Sequence, residues 1–209
     1  MRIDIWSDIV CPWCYVGKRR FETALASFDA APVEVVHRSF QLNPDAPRDR
    51  TTSRREMLMR KYRLTDARMD EMDAQMTQLA AEEGLQYRLD ATVTGNTLDA
   101  HQLVHLAREQ GVQDTMVERL YRAYFSEGRS VFDPESLVEL GHEAGIERDL
   151  ARATLSEGSY VSAVRGDIEQ ARRLGVTGVP FFMIDGRYGV SGAQSSATFV
   201  DALTAATAG

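Results

Sequence analysis

Hydrophobic positions in the N-terminal part of the chain change period twice, which predicts a strand, a helix and a second strand. Ile3 and Ile5 lie on one face of a predicted strand, and the apolar character continues to Val10. Apolar positions then recur at one and two helical turns between charged residues, which predicts a helix over residues 12–27. A β-branched segment over residues 33–40 predicts the next strand. The chain therefore opens as a β-α-β unit.

The middle of the chain changes to a charged, helical pattern. Pro44 and Pro47 disfavour both helix and strand pairing, so a domain boundary is expected near them. Beyond this boundary, Ser53 followed three residues later by Glu56 predicts a capped helix start. Further helices are predicted from apolar periodicity, N-cap residues and terminating glycines over residues 66–83, 97–110, 113–126, 134–144 and 147–155. These segments predict an all-helical block of domain size.

The C-terminal part returns to a mixed helix and strand pattern. A helix is predicted over residues 159–174, and the apolar segment 180–184 predicts a strand. Asp185-Gly186 is a strong hairpin signal, so the next segment is expected to pair back before a closing helix over residues 196–206. The predicted fold class is α/β. Its domains are a two-part first domain, residues 1–44 and 159–209, and an inserted helical domain, residues 45–158.

The composition of the 209 residues argues for a globular protein and against two classes of partner. Hydrophobic residues make up 44% of the chain, enough to bury a substantial core. The net charge of -7 disfavours nucleic acid, because phosphate binding usually needs a basic face. No apolar stretch reaches the roughly 18 residues of a membrane span, and the N-terminus lacks a signal-peptide pattern. We therefore expect a cytoplasmic protein with no nucleic-acid or membrane partner.

The two cysteines of the sequence stand together in the tetrapeptide Cys11-Pro12-Trp13-Cys14, at the predicted junction between strand and helix. A thiolate at the first position faces the unpaired N–H groups of the helix start, which stabilise its negative charge. The second thiol lies one helical turn later, where it can attack a mixed disulfide formed on the first. Pro12 suits the first helical turn, and Trp13 is expected to be exposed and to contact substrate. The motif predicts a catalytic dithiol, with Cys11 as nucleophile and Cys14 as resolving thiol.

Two other interpretations of this motif stay open from the residues alone. A structural disulfide across so short a loop would constrain the unfolded chain little, and a reducing compartment does not maintain structural disulfides. A metal site would need further ligands. His101 and His105 lie four residues apart on a predicted helix, but the sequence offers no obvious third ligand. We therefore predict no metal and no bound cofactor.

Five short segments, together with the order of the elements, match a known family. The segments are Ser7-Asp8-Ile9-Val10-Cys11-Pro12-Trp13-Cys14-Tyr15-Val16-Gly17, Phe40-Gln41-Leu42-Asn43-Pro44, Asn96-Thr97-Leu98-Asp99-Ala100-His101, Gly175-Val176-Thr177-Gly178-Val179-Pro180-Phe181-Phe182 and Gly192-Ala193-Gln194. They span nearly the whole chain, which resembles the DsbA family of thiol-disulfide oxidoreductases and most closely its FrnE-like branch. The resemblance implies a thioredoxin-like fold, β-α-β followed by α-β-β-α, with the helical block as an insertion.

The resemblance also implies two features of the site. The Val179–Pro180 peptide bond would be cis and would lie against the dithiol, so that Val179 could pair with a substrate peptide beside Cys11. The alternative is a turn proline before a core strand. Relatives often carry a buried acid under the second cysteine, which makes Asp4 a candidate proton relay. The alternative for Asp4 is an ordinary solvated strand charge.

We predict a thiol-disulfide oxidoreductase that acts on protein or small-molecule thiols and disulfides, as an oxidase, a reductase or an isomerase. A first alternative is a glutathione-dependent enzyme with glutathione as co-substrate, because kappa-class glutathione transferases and hydroxychromene carboxylate isomerases resemble the same layout. Those relatives generally lack the paired cysteines. A second alternative is a redox-sensing or chaperone-like binding protein without turnover. The sequence favours neither a monomer nor a homodimer.

Overall fold

The computed structural model describes residues 1–29 and 32–208 and consists of short strands and many helices. The strands are β1 (Arg2–Ser7), β2 (Glu34–Ser39), β3 (Thr52–Ser53), β4 (Val93–Thr94), β5 (Phe181–Ile184) and β6 (Tyr188–Ser191). The α-helices are α1 (Pro12–Ala26), α2 (Arg54–Tyr62), α3 (Asp66–Glu82), α4 (Leu98–Glu109), α5 (Gln113–Arg122), α6 (Pro134–Glu143), α7 (Arg148–Glu157), α8 (Val161–Arg173) and α9 (Ser196–Ala208). No helix in this described part of the chain is long and apolar enough to cross a membrane.

The chain divides into two compact units: Met1–Leu42 with Val161–Gly209, and Asn43–Tyr160. The domain boundaries predicted from the sequence, after residues 44 and 158, each lie two residues from the observed boundaries after Leu42 and Tyr160. The first unit contains a four-stranded sheet in the order β2-β1-β5-β6. β1 is parallel to β2 and antiparallel to β5, and β5 is antiparallel to β6. With α1 between β1 and β2, α8 before β5, and α9 after β6, the predicted β-α-β and α-β-β-α order is confirmed.

The hydrophobic core of the first unit lies between one face of the sheet and the helices α1 and α9. Ile3 and Ile5 both belong to this core, as their spacing along β1 predicts. Three aromatic rings complete it, with centroids 5.2, 5.4 and 4.6 Å apart: Phe21 on α1, Phe182 on β5 and Phe199 on α9. Each of these buried rings contributes about 2 kcal/mol of apolar burial. The core therefore fixes α1 against the sheet, and α1 carries the dithiol.

The β1 and β2 strands are also tied to α8 by buried polar contacts. The Trp6 indole N–H donates to the Asp167 carbonyl oxygen at 3.0 Å. The Asp167 carboxylate accepts hydrogen bonds from the Arg38 guanidinium and the Ser39 N–H, each at 3.0 Å. Arg38 also donates to the Asp4 carboxylate at 2.7 Å. Partners 129 and 128 residues apart along the chain give no local periodic signal, which is why the sequence did not predict this network.

Two turns of the first unit bear on the predicted strands. β1 ends at Ser7 rather than Val10, because the Cys11 N–H donates to the Asp8 carbonyl oxygen at 3.1 Å and closes a turn. The apolar run continues past the strand because Ile9 is buried within that turn. The hairpin at Asp185-Gly186 is confirmed, with φ values of 47° and 67°, the left-handed values that a type I′ turn needs.

The second unit is mainly helical, as predicted, and has its own buried apolar side chains. Examples on α4, α5 and α6 are Leu103, Leu120 and Leu137. Two features were not predicted. β3 and β4 pair as an antiparallel ribbon of two residues each, too short to show a period in the sequence. The segment after α5 widens to a π-helical turn at Ala123–Glu127, where the Tyr124 hydroxyl donates to the Val93 carbonyl oxygen at 2.6 Å.

Candidate active site

The dithiol lies where β1 passes into α1. Cys11 is the N-cap residue of α1, with extended backbone angles (φ -89°, ψ 112°), and Pro12 is the first helical residue. The Cys14 N–H donates to the Cys11 carbonyl oxygen at 3.0 Å and closes the first turn. Cys11 therefore occupies the end of the helix where backbone N–H groups are unpaired and the helix dipole is positive. This is the position that its place in the sequence predicts.

Both cysteines are buried free thiols, whereas the tryptophan between them is exposed. Cys11 and Cys14 are 5% and 2% exposed, and Trp13 is 47% exposed. The indole of Trp13 therefore offers an apolar contact surface next to a thiol that solvent barely reaches. Its predicted exposure is confirmed.

A segment from the far end of the sequence meets Cys11. The Val179–Pro180 peptide bond is cis. The Cys11 Sγ atom lies 3.7 Å from the Val179 carbonyl oxygen, which is within hydrogen-bonding distance for sulfur. The two residues are 168 positions apart in the chain. They meet because β5 follows Pro180 directly and pairs with β1, opposing Phe181 to Trp6 near the end of β1 that leads to the dithiol.

The surroundings of Cys14 keep its thiol protonated. Burial is the largest cause that raises the pKa of Cys14 well above its ordinary value of 9.0. A hydrogen bond to the Cys11 sulfur and the negative charge of Cys11 raise this pKa further, as does the charge of Asp8. Only a backbone hydrogen bond at Asp8 lowers it. Burial and neighbouring negative charge therefore favour the protonated form of Cys14.

Asp8 is a buried acid whose charge acts on the Cys14 thiol. It is buried, and its carboxylate accepts a hydrogen bond from the Leu42 N–H at 2.8 Å. Its backbone and its charge both act on the Cys14 thiol. The sequence prediction missed this role. The available signal was the position of Asp8 three residues before Cys11, in the segment that makes the turn after β1.

Asp4, the predicted proton relay, has different partners. Its carboxylate pairs with the guanidinium groups of Arg2 at 3.1 Å and Arg38 at 2.7 Å. It is neither a solvated strand charge nor the acid whose charge acts on Cys14. The proton-relay role of Asp4 stays a prediction, and Asp8 is a second candidate for that role.

The structure gives no support for a metal at the two histidines singled out in the sequence. His101 is buried on α4, and the ring of His105 stacks on Tyr160 with centroids 6.1 Å apart. No group of three or more His, Cys, Asp or Glu side chains that could hold a metal ion occurs within residues 1–29 and 32–208.

The four-stranded mixed sheet with helices on it, a dithiol at the start of α1 and an X-Pro segment in contact with it define a thioredoxin-like dithiol protein. Residues 2–204 match the DSBA-like thioredoxin domain, and the chain belongs to this family. The predicted fold class is thereby confirmed. Members of the family are thiol-disulfide oxidoreductases or isomerases and act on thiol or disulfide substrates.

Comparison with solved structures supports the same assignment. A probable DsbA oxidoreductase from Streptomyces coelicolor is 46% identical, with a TM-score of 0.96 over 100% of this chain and 90% of that one. A 2-hydroxychromene-2-carboxylate isomerase is 15% identical (TM-score 0.72, 100% and 95% covered). The cytosolic disulfide reductase DsbM from Pseudomonas aeruginosa is 18% identical (TM-score 0.67, 100% and 99% covered). The last two share the fold alone, and membership of the FrnE-like branch stays a prediction.

Proposed function

We propose that this protein is a thiol-disulfide oxidoreductase that exchanges disulfides with protein or small-molecule partners through Cys11 and Cys14. The observation that supports it most directly is the 3.7 Å contact between Cys11 Sγ and the Val179 carbonyl oxygen. It joins a thiol at a helix N-terminus to a backbone segment suited to hold an extended substrate. A purely structural cysteine pair would need neither feature.

In the reducing direction, the Cys11 thiolate attacks one sulfur of a substrate disulfide. A bond forms between Cys11 and that sulfur, the substrate S–S bond breaks, and the leaving thiolate takes a proton from water. Cys14 then gives up its proton and attacks the Cys11 sulfur. The Cys11–Cys14 disulfide forms and the second substrate thiol leaves. The substrate gains two electrons and two protons, the dithiol loses both, and the oxidising direction is the reverse.

Val179 and Pro180 form the docking element in this proposal. Pro180 has no N–H group, so it cannot donate a hydrogen bond to a neighbouring strand at this point, and the Val179 carbonyl oxygen faces the Cys11 Sγ atom. Val179 is half-buried beside a thiol that is only 5% exposed. An extended substrate that pairs with Val179 would bring its sulfur to the accessible side of Cys11.

Asp8 accepts the Cys14 proton during release of the mixed disulfide. Once Cys11 is bonded to substrate, it carries no negative charge, so two of the causes that raise the Cys14 pKa are gone. Burial and the Asp8 charge remain. Transfer of the proton to Asp8 removes that charge at the moment when Cys14 must become a thiolate.

The experiment is an equilibrium titration of the Cys11–Cys14 pair against glutathione redox buffers, combined with reduction of insulin disulfides. We expect wild-type protein to reduce insulin and Cys11→Ser to be inactive. Cys14→Ser should accumulate a mixed disulfide with its substrate, because nothing resolves it. Insulin reduction by Cys11→Ser at the wild-type rate would refute the proposal. The measured potential, in steps of roughly 30 mV for about 1.4 kcal/mol, decides between oxidase and reductase.

Glutathione is the small-molecule thiol that we propose as co-substrate. DsbM of Pseudomonas aeruginosa, which shares the fold, has been solved with glutathione. If glutathione only supplies reducing power, activity requires both cysteines. Binding to immobilised glutathione, with activity that survives Cys14→Ser, would instead favour the transferase or isomerase alternative. A binding protein without turnover would be indicated if Cys11→Ser still suppressed client aggregation and the wild type reduced no disulfide.

A further inference from the structure

Gly17 lies where α1 packs closely against Pro180 of the docking element. It lies inside α1, three residues after Cys14, and it is buried. Glycine destabilises a helix interior relative to alanine, so its presence there needs a local reason. A Cβ atom at Gly17 would lie 2.8 Å from the Pro180 Cγ atom and 3.4 Å from the Ala193 Cβ atom. The first distance is shorter than real Cβ contacts allow.

The neighbour at Gly17 cannot rotate out of the way. The Cγ atom of Pro180 belongs to a ring that is closed onto its own backbone nitrogen, so a changed ring pucker relieves only part of an overlap. Any larger displacement moves the Val179–Pro180 backbone itself. That backbone carries the carbonyl oxygen that lies 3.7 Å from Cys11 Sγ.

A second contact links α1 to the docking element indirectly, through the loop after β6. Arg20, one turn after Gly17, donates from Nη1 to the Ala193 carbonyl oxygen at 2.9 Å. Ala193 follows Gly192, whose N–H donates to the Pro180 carbonyl oxygen at 2.8 Å. Gly192 adopts φ +83°, which favours glycine and shapes this loop. The helix that carries the dithiol is therefore linked to Pro180 both by direct packing and through the loop after β6.

We propose that Gly17 and Arg20 are positioning residues that set the distance between the Val179–Pro180 segment and Cys11. This inference rests on the proposed function and deepens it. Gly17 permits the close approach and Arg20 holds the loop that supports Pro180. Both act through Pro180. They govern how a docked disulfide meets Cys11, while the intrinsic reactivity of Cys11 is set by the start of α1.

The test compares two reactions of the reduced protein. Exchange with a peptide disulfide needs docking, whereas alkylation of Cys11 by iodoacetamide does not. For Gly17→Ala, we expect the peptide rate constant to fall at least about tenfold, since a misplacement near 1 Å can cost about a hundredfold. The iodoacetamide rate constant should stay at the wild-type value. Gly166→Ala is the matched control, because Gly166 lies in α8 and a Cβ atom there meets nothing within 4 Å.

Arg20→Met should show the same selective loss, and Arg20→Lys should restore part of it by returning a donor to the Ala193 carbonyl. Arg172→Met, at a 77% exposed side chain, is its control. If Gly17→Ala does not fold, Arg20→Met decides the matter. Wild-type peptide rates in the folded variants, or equal losses in both reactions, would overturn this inference alone. A wild type that does not exchange with the peptide would overturn the proposed function and this inference with it.

Discussion

Burial and neighbouring negative charge raise the pKa of Cys14, and the spacing of the two cysteines in the sequence does not predict this. The charge of Asp8 can be removed with little change in side-chain shape by substituting asparagine. We predict that Asp8→Asn lowers the Cys14 pKa, because the charge that disfavours a second anion disappears. The amide oxygen of asparagine can still accept from the Leu42 N–H, so the fold around it should persist. Thiolate absorbance against pH in the Cys11→Ser background reports Cys14 alone.

The matched control for this titration is Asp4→Asn in the same Cys11→Ser background. Asp4 is bonded to Arg2 and Arg38, so its neutralisation should leave the Cys14 titration where it is. Equal displacement by the two variants would show that Asp8 does not act on Cys14 specifically. In single turnovers, Asp8→Asn should also slow release of the mixed disulfide even though Cys14 is more acidic, because the proton acceptor is gone.

The raised pKa of Cys14 also predicts how stability depends on pH in the reduced protein. The folded state binds the thiol proton more tightly than the unfolded state does, so this contribution is fully present below the unfolded value near 9.0 and is lost as pH rises above it. The difference in unfolding free energy between wild type and Cys14→Ala should fall by at most about 1.4 kcal/mol per pH unit there. Urea unfolding at several pH values measures this difference. The prediction would be contradicted if the unfolding free energies of the two proteins changed in parallel with pH.

At the scale of elements, features with local causes were predictable and features with distant causes were not. The helix predicted over residues 134–144 is confirmed at its start, where the Asp133 carboxylate accepts a hydrogen bond from the Ser136 N–H at 2.8 Å. Cap residues and apolar periods act within a few residues, so they can be read directly. The ribbon of β3 and β4 and the π-helical turn depend on partners elsewhere in the chain. The local periodicity of the sequence does not predict those partners.

Asp167 provides a test at the element scale, because it joins α8 to β2. Its carboxylate accepts from Arg38 and from the Ser39 N–H, and its side chain is 5% exposed. We expect Asp167→Asn to lower the unfolding free energy by about 3 kcal/mol, since Arg38 loses one of two carboxylates in a mostly buried site. Urea denaturation measures this. Asp149→Asn should change stability little, because the Asp149 side chain is 89% exposed in its ion pair with Arg152, and a similar loss there would contradict the assignment.

At the scale of the whole molecule, the candidate site could be predicted only where one segment carries its chemistry. Cys11 and Cys14 follow from a tetrapeptide, whereas Val179 and Pro180 came from the family resemblance and not from any local pattern. Asp8 and Gly17 stood within a quoted motif, yet their roles required tertiary contacts with Cys14 and Pro180. The division of the chain explains this difference, because the first unit is formed by two segments that are distant in sequence. One continuous segment between them forms the second unit.

That continuous segment, Asn43–Tyr160, should fold by itself. It contains its own buried side chains on α4, α5 and α6, and its size is that of an ordinary domain. Its first residues are fixed internally, since the Asn96 side-chain amide donates to the Pro44 and Ala46 carbonyl oxygens at 3.2 and 2.7 Å. We therefore predict that fragment 43–160 shows a helical circular dichroism spectrum and a cooperative urea transition.

A shorter fragment, residues 54–160, tests whether these internal contacts matter. It lacks β3 and the carbonyl acceptors of Asn96, so β4 loses its pairing partner and the start of α4 loses a support. It should unfold at a lower urea concentration than fragment 43–160, with helical content largely retained. If fragment 43–160 has no cooperative transition while the whole protein does, the helical unit depends on the rest of the chain, and the two units are one folding domain.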